Sequence, residues 1–266
     1  MAEFNEVYRR ATYYDIVFGR DVTREIDFVI EVYRQHHNGS DPTSLLDLAC
    51  GPAYHARNFA KRGFRAVGLD LRAEMLAFAD DLAQQDHIHV EWLSADMRDL
   101  NLSAPVDVAI NVFDGIDCLL TNDDLVAHLN TIADNLTEGG LYFIDVTHPR
   151  LTSYDYYEPF RYHGERDGIS VDIRWNADHV LINPIDNIAS TQVEMVVNDN
   201  GNIEAFTDMA LERILTAQEI VLLSQLTGKL VPVGWYGDYE LTQPFDNTPS
   251  SRLMIAVLQK RELING

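Results

Sequence analysis

The feature that most constrains the fold is a stretch at residues 45–70, LLDLACGPAYHARNFAKRGFRAVGLD. It has the order of an apolar strand, a tight turn, a helix over roughly 54–62 and a second strand that ends in a carboxylate. In an open α/β sheet, ligands bind beyond the carboxyl ends of the strands, and the turn at 49–53 stands at such an end. There the Asp70 carboxylate is placed to accept both hydroxyl groups of a ribose, although it could instead cap the following helix.

The same alternation of strand and helix continues to about residue 148. Besides the strand at 45–49, the pattern predicts strands at 65–69, 89–94, 107–112 and 141–146. Helices are predicted over 5–37, over 72–84, and from a capping signature at Thr121 to Gly139. Five strands that alternate with helices predict a parallel sheet covered on both faces.

After His148 the pattern becomes antiparallel. Strands are predicted at 170–175, 188–197 and 203–214, then a capped helix from Thr216 to Gly228, then a strand pair at 230–235 and 252–258. We therefore expect an α/β fold with a Rossmann-like seven-stranded sheet, mostly parallel with one antiparallel edge hairpin strand, flanked by helices. Residues 1–149 and 216–266 would form this core, and 150–215 an antiparallel β insertion lying over one end as the acceptor-side lid.

Charge and cysteine content exclude several classes of function. The net charge of −22 would repel a phosphate backbone or an anionic membrane, which argues against nucleic acid and membrane partners. Two cysteines are too few for a disulfide framework, and no 18-residue apolar run offers a membrane span. We expect a cytoplasmic protein without a metal site, because His36-His37 is better explained as a helix-end surface.

A dinucleotide is one possible ligand over the turn. Its pyrophosphate rests on a G-x-G-x-x-G turn at a helix N-terminus. In the corresponding run Gly51–Ala56 one glycine of the three is present, and Pro52 removes an amide donor. A nicotinamide cofactor is therefore disfavoured, although a nicotinamide-dependent oxidoreductase stays open as an alternative.

The stretch also resembles the first motif of class I S-adenosylmethionine-dependent methyltransferases, whose usual form is D-x-x-C-G-x-G. Asp47, Cys50 and Gly51 match this motif, and Ala53 replaces its second glycine. Further segments resemble later family motifs in the same order, at 67–76, 95–98, 111–114, 137–145 and 251–253. The resemblance spans the catalytic core and implies S-adenosylmethionine as the cofactor.

Position by position, the resemblance implies a set of cofactor contacts. The backbone around Ala49, Cys50 and Gly51 would contact the methionine part, and Asp70 would hold the ribose. The other contacts implied, from the adenine to the methionine end, are Leu71, Met75, Asp96, the Met97 amide, the Asn111 carbonyl, Arg20 and Tyr14. Arg20 could equally be a solvated surface cation.

Methyl transfer from a sulfonium needs positioning more than a strong nucleophile. A base is useful if the acceptor arrives protonated, and Asp114 and His148 follow strand ends where one could act. Asp114 could instead cap its turn, and His148 could be structural; Tyr14 could orient an amine by its phenol oxygen. Cys50 is expected to be a backbone contact rather than a nucleophile.

The resemblance is closest to members that methylate amines of small metabolites and amino sugars. We therefore expect methyl transfer to a small-molecule acceptor, preferably N-methylation of an amine. A non-catalytic cofactor-binding partner subunit stays open beside the oxidoreductase. The oligomeric state is open, with a homodimer possible.

Overall fold

The computed structural model describes residues 7–153, 156–157, 159–177 and 180–261. Six α-helices occur in these ranges: α1 Ala11–Phe18, α2 Thr23–His36, α3 Tyr54–Lys61, α4 Ala73–Gln85, α5 Asn122–Asn135 and α6 Ala217–Thr227. The first five strands are β1 Ser44–Leu48, β2 Arg65–Asp70, β3 Glu91–Ser94, β4 Val106–Asn111 and β5 Leu136–Thr147. The later strands are β6 Thr152–Ser153, β7 Tyr156–Tyr157, β8 Phe160–Arg166, β9 Ile169–Trp175, β10 Leu181–Asn183, β11 Ile188–Asp199, β12 Asn202–Arg213, β13 Leu230–Tyr236 and β14 Leu253–Lys260.

Seven strands form the central sheet, in the order β13-β14-β5-β4-β1-β2-β3. Strands β1 to β5 pair in parallel, whereas β14 is antiparallel to both β5 and β13. This arrangement confirms the expected sheet, with the antiparallel strand one position in from the edge. The strand order reverses between β1 and β4, which is where an open α/β sheet leaves a crevice for a ligand.

Helices cover both faces of the central sheet. Helices α2, α3 and α4 pack on one face, for instance through Ile26 and Phe59, while α5 and α6 pack on the other through Leu129 and Ile220. Strand side chains are buried on both faces, as expected for a covered parallel sheet. The core is therefore two apolar layers, and the carboxyl edge of the strands is left for polar side chains.

A second, antiparallel sheet has the order β10-β11-β9-β8, with β12 paired to the other side of β11. Its inner face packs on α1, where Phe18 lies in one apolar cluster with Ile173, Val193 and Met195. A hairpin joins β11 and β12, because Asp199 at the end of β11 pairs with Asn202 at the start of β12. Helix α1 thus provides the apolar surface on which this sheet packs.

Three predictions about elements were wrong in detail. The single N-terminal helix is two helices broken near Gly19, because a new helix starts where the Asp21 carboxylate accepts the Thr23 amide at 2.9 Å; residues 5 and 6 of that prediction lie outside the described residues. Strand β5 begins directly after α5 rather than beyond Gly139. Strand β8 was missed because its half-exposed, mixed sequence FRYHGER has a weak alternating pattern. In the described ranges, no helix is long and apolar enough to cross a membrane.

Substitution of Gly164 in β8 tests the contact between α1 and the second sheet. A Cβ atom at this position would lie 2.2 Å from the carbonyl oxygen of Ile16 in α1, which is backbone and cannot rotate away. We expect Gly164→Ala to lower the free energy of unfolding by about 1–3 kcal/mol, the usual cost of overpacking. Denaturant titration measures this change.

Arg161→Ala is the control, since this exposed residue lies on the same strand. It should change the free energy of unfolding by no more than about 0.5 kcal/mol. Equal stability of the two variants would contradict the close packing of α1 on β8.

Candidate functional site

The turn after β1 has an unusual backbone. Ala49, Gly51 and Ala53 all have positive φ angles, of 53°, 51° and 54°. For alanine the left-handed region costs roughly 1–2 kcal/mol, so the turn is held by other contacts. The Cys50 amide donates to the carbonyl of Leu69 at 2.9 Å, which ties the turn to β2. Ala53 therefore adopts the conformation that the second motif glycine would supply.

Two buried carboxylates fix the turn from below. Asp47 accepts the Ala56 amide of α3 at 3.1 Å. Asp70 accepts the Gly51 amide through Oδ2 and the Arg72 amide through Oδ1, each at 2.8 Å. Burial raises the pKa of Asp70, although these amide bonds favour the charged form. The structure gives Asp70 the capping contact at Arg72, and a carboxylate has further acceptor sites that a ribose could use.

Tyr14 stands over the turn. A Cβ atom built on Gly51 would have only Tyr14 Cε1 nearby, at 4.0 Å, so the space above this glycine is open. The Tyr14 ring packs on Phe18 and Tyr8, with centroids 4.5 and 5.8 Å away. Burial raises the pKa of the Tyr14 phenol well above its usual range, so it keeps its proton at neutral pH.

Asn111, at the end of β4, contains the most informative polar atom of the site. Its side chain is fully buried. The amide nitrogen donates to the Met97 sulfur at 3.7 Å, but the oxygen Oδ1 has no hydrogen-bond partner among the described residues. A buried acceptor without a partner costs about 1–3 kcal/mol, so a bound donor would relieve this cost. The contact between Asn111 and the amino group of S-adenosylmethionine stays a prediction.

At the adenine end the expected residues have mixed surroundings. Leu71 is 52% exposed, an apolar side chain available for contact with a ring. Asp96 is held by Arg98, whose guanidinium lowers the pKa of that carboxyl. The Met97 carbonyl pairs with the ring of buried His128 at 2.9 Å, while Met75 is buried in α4.

Arg20 makes a two-point contact with the Glu25 carboxylate, at 3.2 Å for each bond. Its guanidinium carbon also lies 5.3 Å from the centre of the Phe113 ring. The guanidinium therefore has protein partners but remains in contact with solvent, because 38% of the Arg20 side chain is exposed.

The two side chains considered as bases already have partners. Both Asp114 oxygens accept from Thr147, at 2.5 Å from the amide and 2.9 Å from the hydroxyl. The buried His148 ring accepts the Arg150 amide at 3.0 Å through Nδ1, and its Nε2 lies 2.9 Å from the carbonyl oxygen of Asp246. These geometries are typical of structural caps.

A cluster of carboxyl groups and aromatic rings around Glu212 was not predicted from the sequence. The Glu212 carboxylate of β12 accepts the Trp175 indole N–H at 2.5 Å and the Tyr157 hydroxyl. Asp117 lies in the 3₁₀ turn Gly115–Cys118, which β12 contacts, and its Oδ1 is buried without a partner in the described chain. Burial raises the pKa of Glu212 to about 7, and Asp114 adds to this shift. Because side chains alternate between the two faces of a strand, Glu212 lies on the same face of β12 as buried Ala210. This alternation could have been read from the sequence.

The comparisons with known proteins agree with these motifs. Residues 45–140 match the family model for a methyltransferase domain. The chain is 28% identical over 138 residues to a dTDP-3-amino-3,4,6-trideoxy-alpha-D-glucopyranose N,N-dimethyltransferase of Streptomyces venezuelae, covering 51% of this chain and 56% of that protein. It is 30% identical over 149 residues to a dTDP-4-amino-2,3,4,6-tetradeoxy-D-glucose N,N-dimethyltransferase of Saccharopolyspora spinosa, covering 54% and 57%. The chain spans just over half the length of these relatives.

Solved structures share the fold over nearly the whole chain. A crystal structure of Streptomyces venezuelae DesVI has a TM-score of 0.75 at 22% identity and covers 98% of this chain and 100% of that one. An S-adenosylmethionine-dependent methyltransferase from Clostridium acetobutylicum has a TM-score of 0.77 at 20% identity, covering 95% and 98%. These structural matches confirm the fold class.

Alkylation tests the expectation that Cys50 is not a nucleophile. Burial, with the Asp47 and Asp70 carboxylates beside it, raises the pKa of the Cys50 thiol well above its usual range. Less thiolate is therefore present at pH 8 than in a free thiol. In a Cys118→Ser variant, we expect iodoacetamide to modify Cys50 at least about tenfold more slowly than glutathione.

Intact-mass spectrometry over time measures this rate, and urea-unfolded protein is the control in which Cys50 should react like glutathione. A folded-state rate equal to that of glutathione would indicate an activated thiolate.

Proposed function

We propose that this chain, a class I S-adenosylmethionine-dependent methyltransferase by its domain match, motifs and fold, transfers a methyl group to an amine of a small molecule. The observation that carries the proposal is the pair of acceptor atoms at the strand-order reversal, the Asp70 carboxylate and the orphaned Asn111 oxygen. Asn111 is the last residue of β4, and Asp70 is the last residue of β2, which pairs with β1. A nucleoside with a charged amino acid arm would fit in the crevice between β1 and β4. The non-catalytic alternative shares this binding site and differs only in lacking methyl transfer.

Each part of the cofactor has a residue suited to it. The cofactor supplies an electrophilic methyl group on a sulfonium. We assign its ribose to Asp70, its adenine to Leu71 with the edge contacts at Asp96 and Met97, and its amino group to Asn111. The open space over Gly51 would take the methionine arm, with Tyr14 covering it.

The second sheet would form the acceptor wall, as the lid proposed for residues 150–215. The inner face of this sheet packs on α1, and Tyr14 of α1 lies over the cofactor turn. An acceptor bound between the second sheet and the cofactor turn would therefore lie next to the methyl group. Holding the acceptor in line and excluding water can contribute about 7–11 kcal/mol. No described side chain needs to act as a strong nucleophile.

An amine is the acceptor that these surroundings favour. Two relatives are named as N,N-dimethyltransferases of amino sugars, and the Glu212 carboxyl lies close enough to Asp117 to raise the pKa of the Asp117 carboxyl. A bound cation would favour the charged form of both carboxyl groups. The net charge of −22 disfavours nucleic acid. We place the protein in the cytoplasm, and we leave a homodimer as one possible assembly.

Among the three catalytic candidates, we retain Tyr14 as a hydrogen-bonding group that orients the acceptor. Its raised phenol pKa excludes a role as a phenolate base at neutral pH. Asp114 and His148 are committed to Thr147 and to the backbone of neighbouring loops, so we assign them structural roles. Arg20 would contact the carboxylate of the cofactor only after it had released Glu25, to which it donates in this structure.

Calorimetric titration with S-adenosylhomocysteine, the demethylated cofactor, tests the Asp70 assignment. We expect Asp70→Ala to lower the affinity at least about tenfold, because it removes the ribose acceptor and the Gly51 anchor together. Asp81→Ala, an exposed carboxylate on the helix that follows, is the control and should bind like the wild type. Failure of the wild-type protein to bind this nucleoside would refute the proposed function.

Asn111→Leu separates binding from stability. The change removes the orphaned oxygen and keeps the side chain's size, so we expect cofactor affinity to fall at least about tenfold. The free energy of unfolding without ligand should not fall, because an unsatisfied buried acceptor is also removed. Calorimetry and denaturant titration measure the two effects. Unchanged affinity would show that Oδ1 does not contact the cofactor.

A further inference from the structure

Glu212 differs from the other carboxylates near the site because its partners are aromatic side chains. It lies on the inner face of β12, where its residue pairs with Ala189 of β11. Trp175 and Tyr157 donate one hydrogen bond each to its two oxygens. These neutral donors hold the carboxylate without neutralising it, and acceptor sites remain on both oxygens.

Aromatic rings connect this carboxylate to the cofactor turn. The Tyr8 ring lies 6.4 Å from Trp175 and 5.8 Å from Tyr14, measured between ring centroids. Tyr14 in turn stands next to Gly51. A continuous aromatic wall therefore runs from the place where the methyl group would sit to the Glu212 carboxylate.

A second carboxyl group, that of Asp117, lies near Glu212. Asp117 Oδ1 is buried and has no hydrogen-bond partner in the part of the chain that the structure describes. Asp114 and Glu212 are among the groups that raise the pKa of the Asp117 carboxyl, and among the described residues no cation is recorded as lowering it. The one arginine beside Glu212 in sequence, Arg213, points elsewhere and binds Glu219 and the carbonyl of Leu120.

Burial of an acceptor without a partner costs free energy, and so does burial of a carboxylate without a cation. A ligand that supplies the missing partner removes this cost. The ligand that suits them is a cation with N–H donors, and aromatic faces add a further attraction for such a cation. A neutral alcohol could satisfy one acceptor but not the charge. The two carboxyl groups therefore favour an ammonium group over its neutral isostere.

We propose that Glu212 and Asp117, with Tyr157, Trp175 and Tyr8 around them, form a subsite that binds the acceptor amine as its ammonium ion. The inference rests on the proposed function, and it assigns the part of the site that selects the acceptor. Glu212 then acts as a specificity-determining residue. The same carboxylate can accept one N–H proton, which leaves the nitrogen electron pair free for the methyl group.

The test compares two small probes of nearly equal shape in the presence of saturating S-adenosylhomocysteine. N,N-dimethylethanolamine is an ammonium ion at neutral pH, and 3-methyl-1-butanol is its uncharged isostere. Calorimetric titration of the wild-type protein should show binding of the ammonium ion at least about tenfold tighter than binding of the alcohol. Equal affinities, or no binding of the ammonium ion, would overturn the proposal.

Variants locate the effect. Glu212→Gln keeps acceptor and donor groups for Trp175 and Tyr157 and removes the charge, so it should abolish the preference; Asp117→Asn should reduce it. Glu194→Gln is the matched control, because Glu194 lies on the neighbouring strand β11 and pairs with Arg174. It should retain the full preference. A preference that survives Glu212→Gln would assign the ammonium ion to another place.

The affinity for S-adenosylhomocysteine separates the two hypotheses. If the wild type binds this nucleoside and shows no preference between the probes, the subsite is wrong and the proposed cofactor site stands. If the nucleoside does not bind, the proposed function itself fails. Retained nucleoside affinity in Glu212→Gln shows that this variant is folded.

Discussion

The site depends on one hydrogen bond between neighbouring strands, from the Gly51 amide to the Asp70 carboxylate. The turn after β1 contains three residues with positive φ, two of them alanines, and such a backbone is unfavourable by itself. The carboxylate at the end of β2 offsets this cost because it is buried, rigid and aimed at the turn. Its position follows from the parallel register, in which Leu48 pairs with Leu69, one residue before Asp70.

Helix α1 links the cofactor side to the acceptor side through a single carboxylate. Buried Asp15 accepts the Tyr54 hydroxyl of α3 at 2.7 Å and the Arg166 guanidinium of β8 at 2.6 Å. Helix α3 begins directly after the cofactor turn, and β8 belongs to the second sheet. A displacement of α1 therefore changes both sides of the site together, and Gly164 permits its close contact with β8.

The sequence predicted the central sheet well because each strand is a short apolar run bounded by turn or cap residues. The cap at Thr121, for instance, is present as expected, with its hydroxyl accepting the Asp124 amide. The turn at Gly51 could also be located, since motif spacing fixes it. Strand β8 was not predicted, because its half-exposed sequence alternates weakly and its formation depends on pairing with β9. The break near Gly19 was not predicted either, because the Asp21 cap of α2 lies within one helical periodicity.

Individual side-chain roles were harder to predict than their positions. Asp114 and His148 do lie just beyond strand ends, but local hydrogen bonds to Thr147 and to loop backbone decide what they do. Glu212 lies about 160 residues from the cofactor turn in sequence, on a strand without a motif. Only tertiary packing of β12 brings it near the 3₁₀ turn Gly115–Cys118 that follows β4. The residues expected to bind the cofactor lie in sequence motifs, whereas the residues of the acceptor surface are brought together only by the tertiary structure.

Electrostatics join the two halves of the proposed reaction. A sulfonium and an ammonium are both cations, and bringing both into a space with little water requires negative charge nearby. As the methyl group moves, positive charge leaves sulfur and develops on nitrogen, which in the proposed geometry lies beside Glu212. The same charge shift would leave a neutral thioether near Tyr14, and any electrostatic attraction that had held the sulfonium would weaken as the product formed.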